Sequence, residues 1–350
     1  MTIGVLNPRT MLTFLGDVFL KVPVVIDVEL PGQVVLNLES PLTQLERGFP
    51  RKINLKADPA NFSKSFPTPP LAACLANNHI LDFYEGGLES TLAVLRSHGV
   101  GYFGAGSQED GHCNPLLIDV NGVRVGLLGY ADRSSNAVFA TSAGTRVAEL
   151  TLDRVMADMA SARSAGAEKV AVLAHWGYEQ VPLPSVEHVR LARSIIDAGA
   201  DIIIGSHSHC IQGFETYADK PIFYGLGNCV FPSHRSASHF DETGLSTRIV
   251  DSRTAPWNRN SLAVNWDPAT GETKVQPLVF ADGRLKAGNF SASRFEMNIE
   301  SFDVYATRFN RAYRWGKFRH TVARFLTRPK LPRLRHLRGV SKDMRSAPPT

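Results

Sequence analysis

Short, mostly apolar runs recur along the chain, and each is followed directly by polar residues. The clearest runs cover residues 12–15, 34–36, 71–76, 170–174 and 202–204. Runs of this length bounded by turn residues are typical of buried parallel strands. Amphipathic helical spacing alternates with them, near residues 85–98, 151–165 and 185–199. This alternation predicts an α/β fold with a mostly parallel sheet.

Hairpin patterns add antiparallel strands. Asn121-Gly122 separates two apolar segments, and Asn-Gly favours the tight type I′ turn of hairpins. Segments 262–266 and 274–280 form a second such pair, joined by a turn that contains Pro and Gly. Residues 231–260 are rich in Ser, Arg, His and Thr without clear periodicity, and we expect them to form a loop near the functional site.

The polar residues that follow the apolar runs are carboxylates, amides and imidazoles. They are Asp17, Glu39, Asn78, His79, His175, His207 and His209. Open α/β sheets bind ligands at the carboxyl ends of their strands, so we expect these side chains to converge. Mixed oxygen and nitrogen donors suit Mn, Fe or Zn. Seven groups exceed the ligands of one tetrahedral zinc, so the set predicts a centre with two divalent metal ions.

The net charge of +5 hides a strong asymmetry along the chain. Residues 308–350 carry thirteen Lys and Arg against one Asp, whereas the other 307 residues carry 25 Lys and Arg against 32 Asp and Glu. We therefore predict a domain over residues 1–300 and a basic C-terminal tail over residues 301–350 that is partly helical or disordered.

Aromatic residues with helical spacing lie among the cations of this tail. They are Trp315, Phe318 and Phe325, with Val322 on the same side. Such a segment is suited to binding an anionic membrane surface, and a solvated, partly disordered end is the alternative. Nucleic acid is excluded as a partner because the acidic body would repel the same phosphates.

Cysteine use and hydropathy bear on the compartment. None of the four cysteines lies in a C-x-x-C pair, which favours reduced thiols. The first residues lack the basic and apolar regions of a secretory signal, and no apolar stretch reaches the roughly 18 residues of a spanning helix. We expect a cytoplasmic protein, either free or held peripherally at a membrane.

Six motifs occur in a specific order. They read FLGDVFL, LNLESPLT, LANNHILDFYEGG, AHWGYEQ, GADIIIGSHSHCIQGFE and KPIFYGLGNCVF. Over residues 12–232 the chain resembles the CapA-type poly-γ-glutamate capsule-synthesis proteins, a branch of the calcineurin-like metallophosphoesterase superfamily. The resemblance implies a four-layer α/β/β/α sandwich with a two-metal centre at the strand ends.

The resemblance also implies a role for each candidate residue. Asp17 and His209 would bind the first metal, and Glu39 would bridge the two. The second metal would be bound by Asn78, His175 and His207. His79 would be the catalytic acid that protonates a leaving oxygen, and Asn228 would line the site.

The chain departs from the superfamily at particular positions. Phe19 stands where the wider superfamily has a histidine, and Glu39 replaces the usual bridging aspartate. Cys229 replaces an aromatic residue that is common in the capsule branch, and we expect no N-terminal membrane anchor of the kind most capsule proteins carry. Asp82 has two interpretations: it either contacts His79 or caps the helix that follows.

These expectations favour a metal-dependent hydrolase with a phosphoesterase-like site in capsule or exopolysaccharide biosynthesis. Its substrate would be an extracellular polymer or its precursor, such as a phosphoester, a polyglutamate amide or a polysaccharide intermediate. Because fold does not fix function, the alternative is a non-catalytic assembly partner in a polymer synthesis or export complex. The metal content of the protein separates the two.

Overall fold

The computed structural model of the chain describes residues 11–106, 114–252 and 254–326. The strands are β1 (Leu12–Val18), β2 (Val25–Asp27), β3 (Gln33–Leu38), β4 (Ala72–Cys74), β5 (Gly101–Phe103), β6 (Ala105–Gly106), β7 (Leu116–Val120), β8 (Val123–Ala131), β9 (Arg146–Val147), β10 (Lys169–His175), β11 (Ile202–Ser206), β12 (Phe214–Tyr217), β13 (Lys220–Phe223), β14 (Asn228–Val230), β15 (His234–Phe240), β16 (Ser246–Ser252), β17 (Asn260–Trp266), β18 (Thr273–Ala281) and β19 (Arg284–Ala287). The helices are α1 (Ala60–Ser65), α2 (Tyr84–Ser97), α3 (Leu152–Ser164), α4 (Val186–Asp197) and α5 (Phe302–Leu326).

Two mixed sheets form the centre of the fold. The first has nine strands in the order β2-β19-β18-β17-β1-β3-β4-β5, with β14 paired to β1. The second has six strands in the order β12-β13-β11-β10-β8-β7. The parallel pairs β1–β3, β3–β4, β8–β10 and β10–β11 come from the apolar runs, and both expected hairpins, β7–β8 and β17–β18, are antiparallel.

Alternate residues of the second sheet face two separate cores. Ala171 and Leu173 of β10 lie in a core shared with the first sheet, whereas Val170 and Val172 lie in a core formed with α3 and α4. The two-residue period of a strand produces this division. Helix α2 contacts β5 on the other side of the molecule. The layers therefore follow the order α/β/β/α, which confirms the expected fold class.

The strand ends that carry polar residues meet at one edge of the two sheets. Asp17 at the end of β1 lies opposite Asn37 of β3 and Asn228 of β14. This close pairing requires Gly16, because a Cβ atom there would lie 2.2 Å from the carbonyl oxygen of Gly227. In the second sheet, His175 ends β10 beside Ser206 of β11.

The expectation of a loop over residues 231–260 is wrong for much of that segment. Strands β15 and β16 form an antiparallel hairpin, and Phe240 packs edge-on against Phe83 with ring centroids 5.9 Å apart. Residues 246–249 of β16 are all exposed. A strand solvated on both faces needs no apolar alternation, so the sequence pattern did not reveal it.

Helix α5 covers the first part of the basic segment. Tyr305, Phe309 and Tyr313 recur every four residues and are buried in the core that contains α4, whereas Trp315 is 55% exposed. Residues 327–350 lie outside the described part of the chain, so a division near residue 300 stays a prediction. In the described ranges, no helix combines the length and apolar character needed to cross a membrane.

The described cysteines are not paired in disulfides. Cys74, Cys210 and Cys229 are free thiols, and Cys113 lies outside the described residues. Burial raises the pKa of Cys74 and of Cys210 to about 12. At neutral pH these thiols are therefore protonated, and as free thiols they agree with the reduced cysteines expected from the sequence.

Candidate metal centre

Asp17 is the most constrained carboxylate of the site. It is fully buried at the end of β1. Its Oδ1 accepts a hydrogen bond from Asn37 Nδ2 at 2.9 Å, and the backbone N–H of His207 donates to the same carboxylate at 3.2 Å. The first of these partners lies in the first sheet and the second follows β11 in the second, so Asp17 joins the ends of both sheets.

Carboxylates and imidazoles form two groups that could each hold a metal ion. One group contains Glu39, His175 and His207, and the other contains Asp17, Glu39 and His209. Within each group the potential ligand atoms lie within 4.8 Å of one another. Glu39 belongs to both groups, so its carboxylate lies between them.

Unsatisfied polar atoms at the centre of the cluster test whether metal ions fit. Both carboxylate oxygens of Glu39 and Nδ1 of His207 are buried without a hydrogen-bond partner among the described residues. Buried polar atoms are nearly always paired, because leaving them unpaired is costly. Oxygen and imidazole donors are ligands that divalent metals accept. The cluster is therefore compatible with metal binding, as expected.

Burial shifts the pKa of the clustered groups toward their neutral forms. Desolvation raises the pKa of Asp17, and raises that of Glu39 well above its usual range, with the nearby Asp17 adding to the effect. Desolvation also holds the pKa of His175 well below its usual range and lowers that of His207 to about 3. A bound cation reverses this balance for the carboxylates, and neutral imidazoles are the form that binds metal.

His79 is held by a carboxylate beside the cluster. Its Nδ1 lies 2.7 Å from Asp82 Oδ2, which also accepts from the backbone N–H of Leu55 at 2.6 Å. Lys52 Nζ lies 2.5 Å from the other Asp82 oxygen. Helix α2 begins after Phe83 with no side-chain cap. Of the two interpretations of Asp82, the contact with His79 is therefore confirmed.

Amide side chains extend the cluster at both ends. Asn78 Oδ1 lies 2.9 Å from His175 Nε2, which places Asn78 beside the group containing His175. Asn228 Oδ1 lies 2.8 Å from His209 Nδ1. All six proposed ligands are thus close together, while among the described residues His79 belongs to neither group of potential metal ligands.

Several residues of the site were not selected from the sequence. Asn77 Nδ2 donates to the carbonyl of Leu38 at 2.8 Å and lies 3.3 Å from Asn37 Oδ1, and Ser206 Oγ lies 2.9 Å from His175 Nδ1. Asn37, Asn77 and Ser206 directly follow or end apolar runs, so the strand-end rule could have found them. Lys52 carries no such signal, since it comes from a loop and also contacts the backbone carbonyl of Asn78.

Phe19 directly follows β1, two residues after Asp17. Its ring is fully buried and packs against Phe231 and His234, with centroids 5.2 and 5.1 Å away. Phe231 in turn packs on His209, with centroids 4.9 Å apart. An aromatic wall therefore encloses the His209 side of the cluster.

The fold and the cluster define the class: a four-layer α/β/β/α protein with carboxylates and imidazoles gathered at the strand ends. The chain belongs to the bacterial capsule synthesis protein family PGA_cap, whose sequence model matches residues 29–233. The resemblance inferred from the motifs is thereby confirmed. The matched residues include every candidate site residue except Asp17.

Curated relatives carry related names. The chain is 36% identical over 160 residues to the "Capsule biosynthesis protein CapA" of Bacillus anthracis, covering 45% of this chain and 39% of the relative. It is 31% identical over 207 residues to the "Probable polyglutamine synthesis accessory protein" of Mycobacterium tuberculosis, covering 56% and 54% of the two chains. The chain thus spans about half, or less, of the relatives it matches.

Solved structures show a distant likeness. The 5'-nucleotidase precursor from Thermus thermophilus is 16% identical, with a TM-score of 0.38, over 91% of this chain and 60% of that chain.

Proposed function

We propose that this protein is a metal-dependent hydrolase of the phosphoesterase type that acts in capsule or exopolysaccharide biosynthesis. The observation that carries the proposal is the pair of ligand groups that share Glu39, because a shared carboxylate is the arrangement that a two-metal centre needs. The metals would be two divalent ions of Mn, Fe or Zn.

Each residue of the cluster has a distinct task in this proposal. Asp17 and His209 would hold one ion, Asn78, His175 and His207 would hold the other, and Glu39 would be shared by both. Bound divalent ions supply Lewis acidity and lower the pKa of a water molecule. The ligands come from five strand ends and are held in place by buried, packed side chains around them.

His79 supplies the proton in this proposal. With both ring nitrogens protonated, Nδ1 donates to Asp82, which fixes the ring, and Nε2 gives its proton to a leaving oxygen, so that the ring becomes neutral. Lys52 and the Leu55 N–H hold Asp82 in turn. The substrate is an extracellular polymer or its precursor. It is a phosphoester, a polyglutamate amide or a polysaccharide intermediate.

Metal analysis paired with an activity screen tests the proposal. The purified protein is dialysed against Mn²⁺ and then against metal-free buffer, and its metal content is measured beside hydrolysis of an aryl phosphodiester. We expect about two ions per chain and Mn²⁺-dependent hydrolysis. A protein that retains no metal and hydrolyses nothing would instead support a non-catalytic partner in a polymer synthesis or export complex.

We also propose that α5 holds the protein peripherally at an anionic membrane surface. Arg308, Arg311 and Arg314 are exposed beside the half-exposed Trp315, which stacks on Phe318 with centroids 5.6 Å apart. Arginines attract acidic headgroups, and aromatic rings partition into the interface between headgroups and lipid chains. Each cation near an acidic leaflet contributes about 1 kcal/mol.

Charge reversal tests this location. In co-sedimentation with phosphatidylserine-containing vesicles, R311E/R314E is expected to bind at least about tenfold more weakly than the unmodified chain, from about 1 kcal/mol per cation. K274E/K286E is the matched control, since it makes the same change in net charge at exposed positions of β18 and β19. Equal weakening by both pairs would show only a general charge effect and refute the assignment to α5.

A further inference from the structure

Helix α5 approaches the segment after β10 more closely than any side chain would permit. A Cβ atom at Gly316 would lie 2.4 Å from the carbonyl oxygen of Gln180 and 3.1 Å from the Cα atom of Val181. Both are backbone atoms, so no rotamer change could relieve the contact. Gly316 therefore marks the point at which α5 rests directly on the Gln180–Val181 backbone.

Gln180 joins this contact to the turn that carries two candidate metal ligands. Its backbone N–H donates to the carbonyl of Ser208 at 2.9 Å, and Ser208 lies between His207 and His209. On the other side, Asn258 Nδ2 donates to Gln180 Oε1 at 2.7 Å. Gln180 is thus fixed between α5, the histidine turn and the segment before β17.

The histidine turn needs such support because its backbone is strained. His207 has φ of +83° and His209 has φ of +55°, and Gln180 itself has φ of +67°. Residues other than glycine rarely adopt the left-handed region, and they remain there only when surrounding contacts impose it. The Ser208–Gln180 hydrogen bond is one such contact, and it lies midway between the two strained histidines.

Further contacts hold α5 in register over this segment. The hydroxyl of Tyr305 donates to the carbonyl of Pro184 at 2.7 Å, and the ring of Tyr313 packs edge-on against Tyr178 with centroids 5.4 Å apart. Near the other end, the guanidinium of Arg319 lies 4.4 Å from the ring of Trp257. The helix therefore contacts both flanks of Gln180.

We propose that α5, through Gly316, is a positioning element that keeps His207 and His209 in their metal-binding conformation. The inference rests on the proposed metal centre and extends it to a helix outside the cluster. A displaced α5 releases Gln180, the Ser208 carbonyl loses its partner, and the strained turn relaxes. Metal affinity then falls although no ligand has been altered.

Gly316→Ala in the full chain tests this inference, because the direction of the change in melting temperature shows whether α5 is coupled to the segment beneath it. In a helix interior, Gly→Ala normally stabilises a protein by removing the flexibility of glycine, so an uncoupled α5 would leave the melting temperature unchanged or higher. We expect the Mn²⁺ dissociation constant, measured by isothermal titration calorimetry, to rise by about 10-fold or more, as it does when residues that orient metal ligands are lost.

Two controls separate positioning from general destabilisation. Gly86→Ala also replaces a helical glycine, but its Cβ would meet only the flexible Leu45 side chain at 3.0 Å. Ile195→Val removes one methyl from the buried face of α4 and lowers stability without touching Gln180. Both are expected to bind Mn²⁺ as the unmodified protein does.

A milder variant decides the matter if Gly316→Ala fails to fold. Trp257→Ala removes the ring beneath Arg319 at a position that is 37% exposed, and we expect about threefold weaker Mn²⁺ binding, below the range for loss of a direct orienting partner. Unchanged affinity in every folded variant would overturn the inference and leave the metal centre intact. Absence of Mn²⁺ binding by the unmodified protein would instead overturn the proposed function, and this inference with it.

Discussion

Replacing Glu39 by glutamine should have opposite effects on stability and on metal binding. Glu39 is fully buried, both its oxygens lack hydrogen-bond partners among the described residues, and Asp17 lies beside it. Burial holds the pKa of Glu39 well above its usual range, so without metal the folded protein must either bury the charge or take up a proton, whereas glutamine has nearly the same shape and needs neither. The same change removes the ligand shared by both metal groups.

The magnitudes follow from burial and ligand count. In the absence of metal, E39Q should gain about 1–3 kcal/mol at neutral pH, because a carboxyl group with a raised pKa must take up a proton on folding and each pKa unit corresponds to about 1.4 kcal/mol. For a chain of 350 residues, this raises the melting temperature by about 1–4 °C. Mn²⁺ at 100 times its dissociation constant stabilises the unmodified protein by about 2.7 kcal/mol, and E39Q should lose that stabilisation.

Thermal denaturation in EDTA and in Mn²⁺ measures both effects. Glu215→Gln is the matched control, because Glu215 is also buried but is paired with Arg193 at 2.7 and 3.1 Å and accepts from the Tyr224 hydroxyl at 2.6 Å. E215Q should therefore melt lower in EDTA and keep its response to Mn²⁺. An E39Q protein that melts lower than the unmodified one in EDTA, or that responds fully to Mn²⁺, would refute the reasoning.

Further predictions concern the acid, a ligand and a buried carboxylate outside the metal centre. His79→Ala should keep its metal but lose activity by about 10²–10⁴-fold, whereas His207→Ala should lose metal; metal loss in H79A would make His79 a ligand. Burial opposes ionisation of Asp201, but hydrogen bonds from Lys220 and the Val170 N–H outweigh it and lower its pKa. A lowered carboxyl pKa contributes stability above the unfolded value of 3.8 that is lost as pH falls through the folded value. D201N should therefore lose about 1–2 kcal/mol of unfolding free energy at pH 7, and its stability should fall less at acid pH. If urea titrations gave the same stability difference between D201N and the unmodified protein at pH 7 and at pH 3, this prediction would be contradicted.

The sequence predicts the strand ends well because their signal is local. His175 follows an apolar run directly, and His207 follows another after Gly205 and Ser206, so the end of the sheet at which they lie can be inferred without any tertiary information. The same rule located Asp17 and Glu39. Hydrophobic spacing also predicted α2, α3 and α4 to within about two residues, the usual uncertainty of helix ends.

Contacts between distant segments could not be inferred in this way. Lys52 reaches Asp82 from a loop that has no periodic pattern, and residues 246–249 of β16 are exposed on both faces, so they lack the apolar alternation that usually reveals a strand. In α5 the stripe of Tyr305, Phe309 and Tyr313 is present in the sequence, but the arginines between them give the segment the composition of a solvated basic tail. Whether such a stripe is buried depends on a partner, here α4, whose position only the fold determines.

The shared position of Glu39 makes the two ligand groups thermodynamically dependent on each other. A cation in one group fixes the charge and orientation of a carboxylate that the other group also needs. Any resulting change in affinity is reciprocal, because linkage requires each ion to alter the binding of the other by the same factor. In the proposed two-metal centre the two groups would therefore form a single cooperative unit, and a calorimetric titration that fits two independent sites would contradict this consequence.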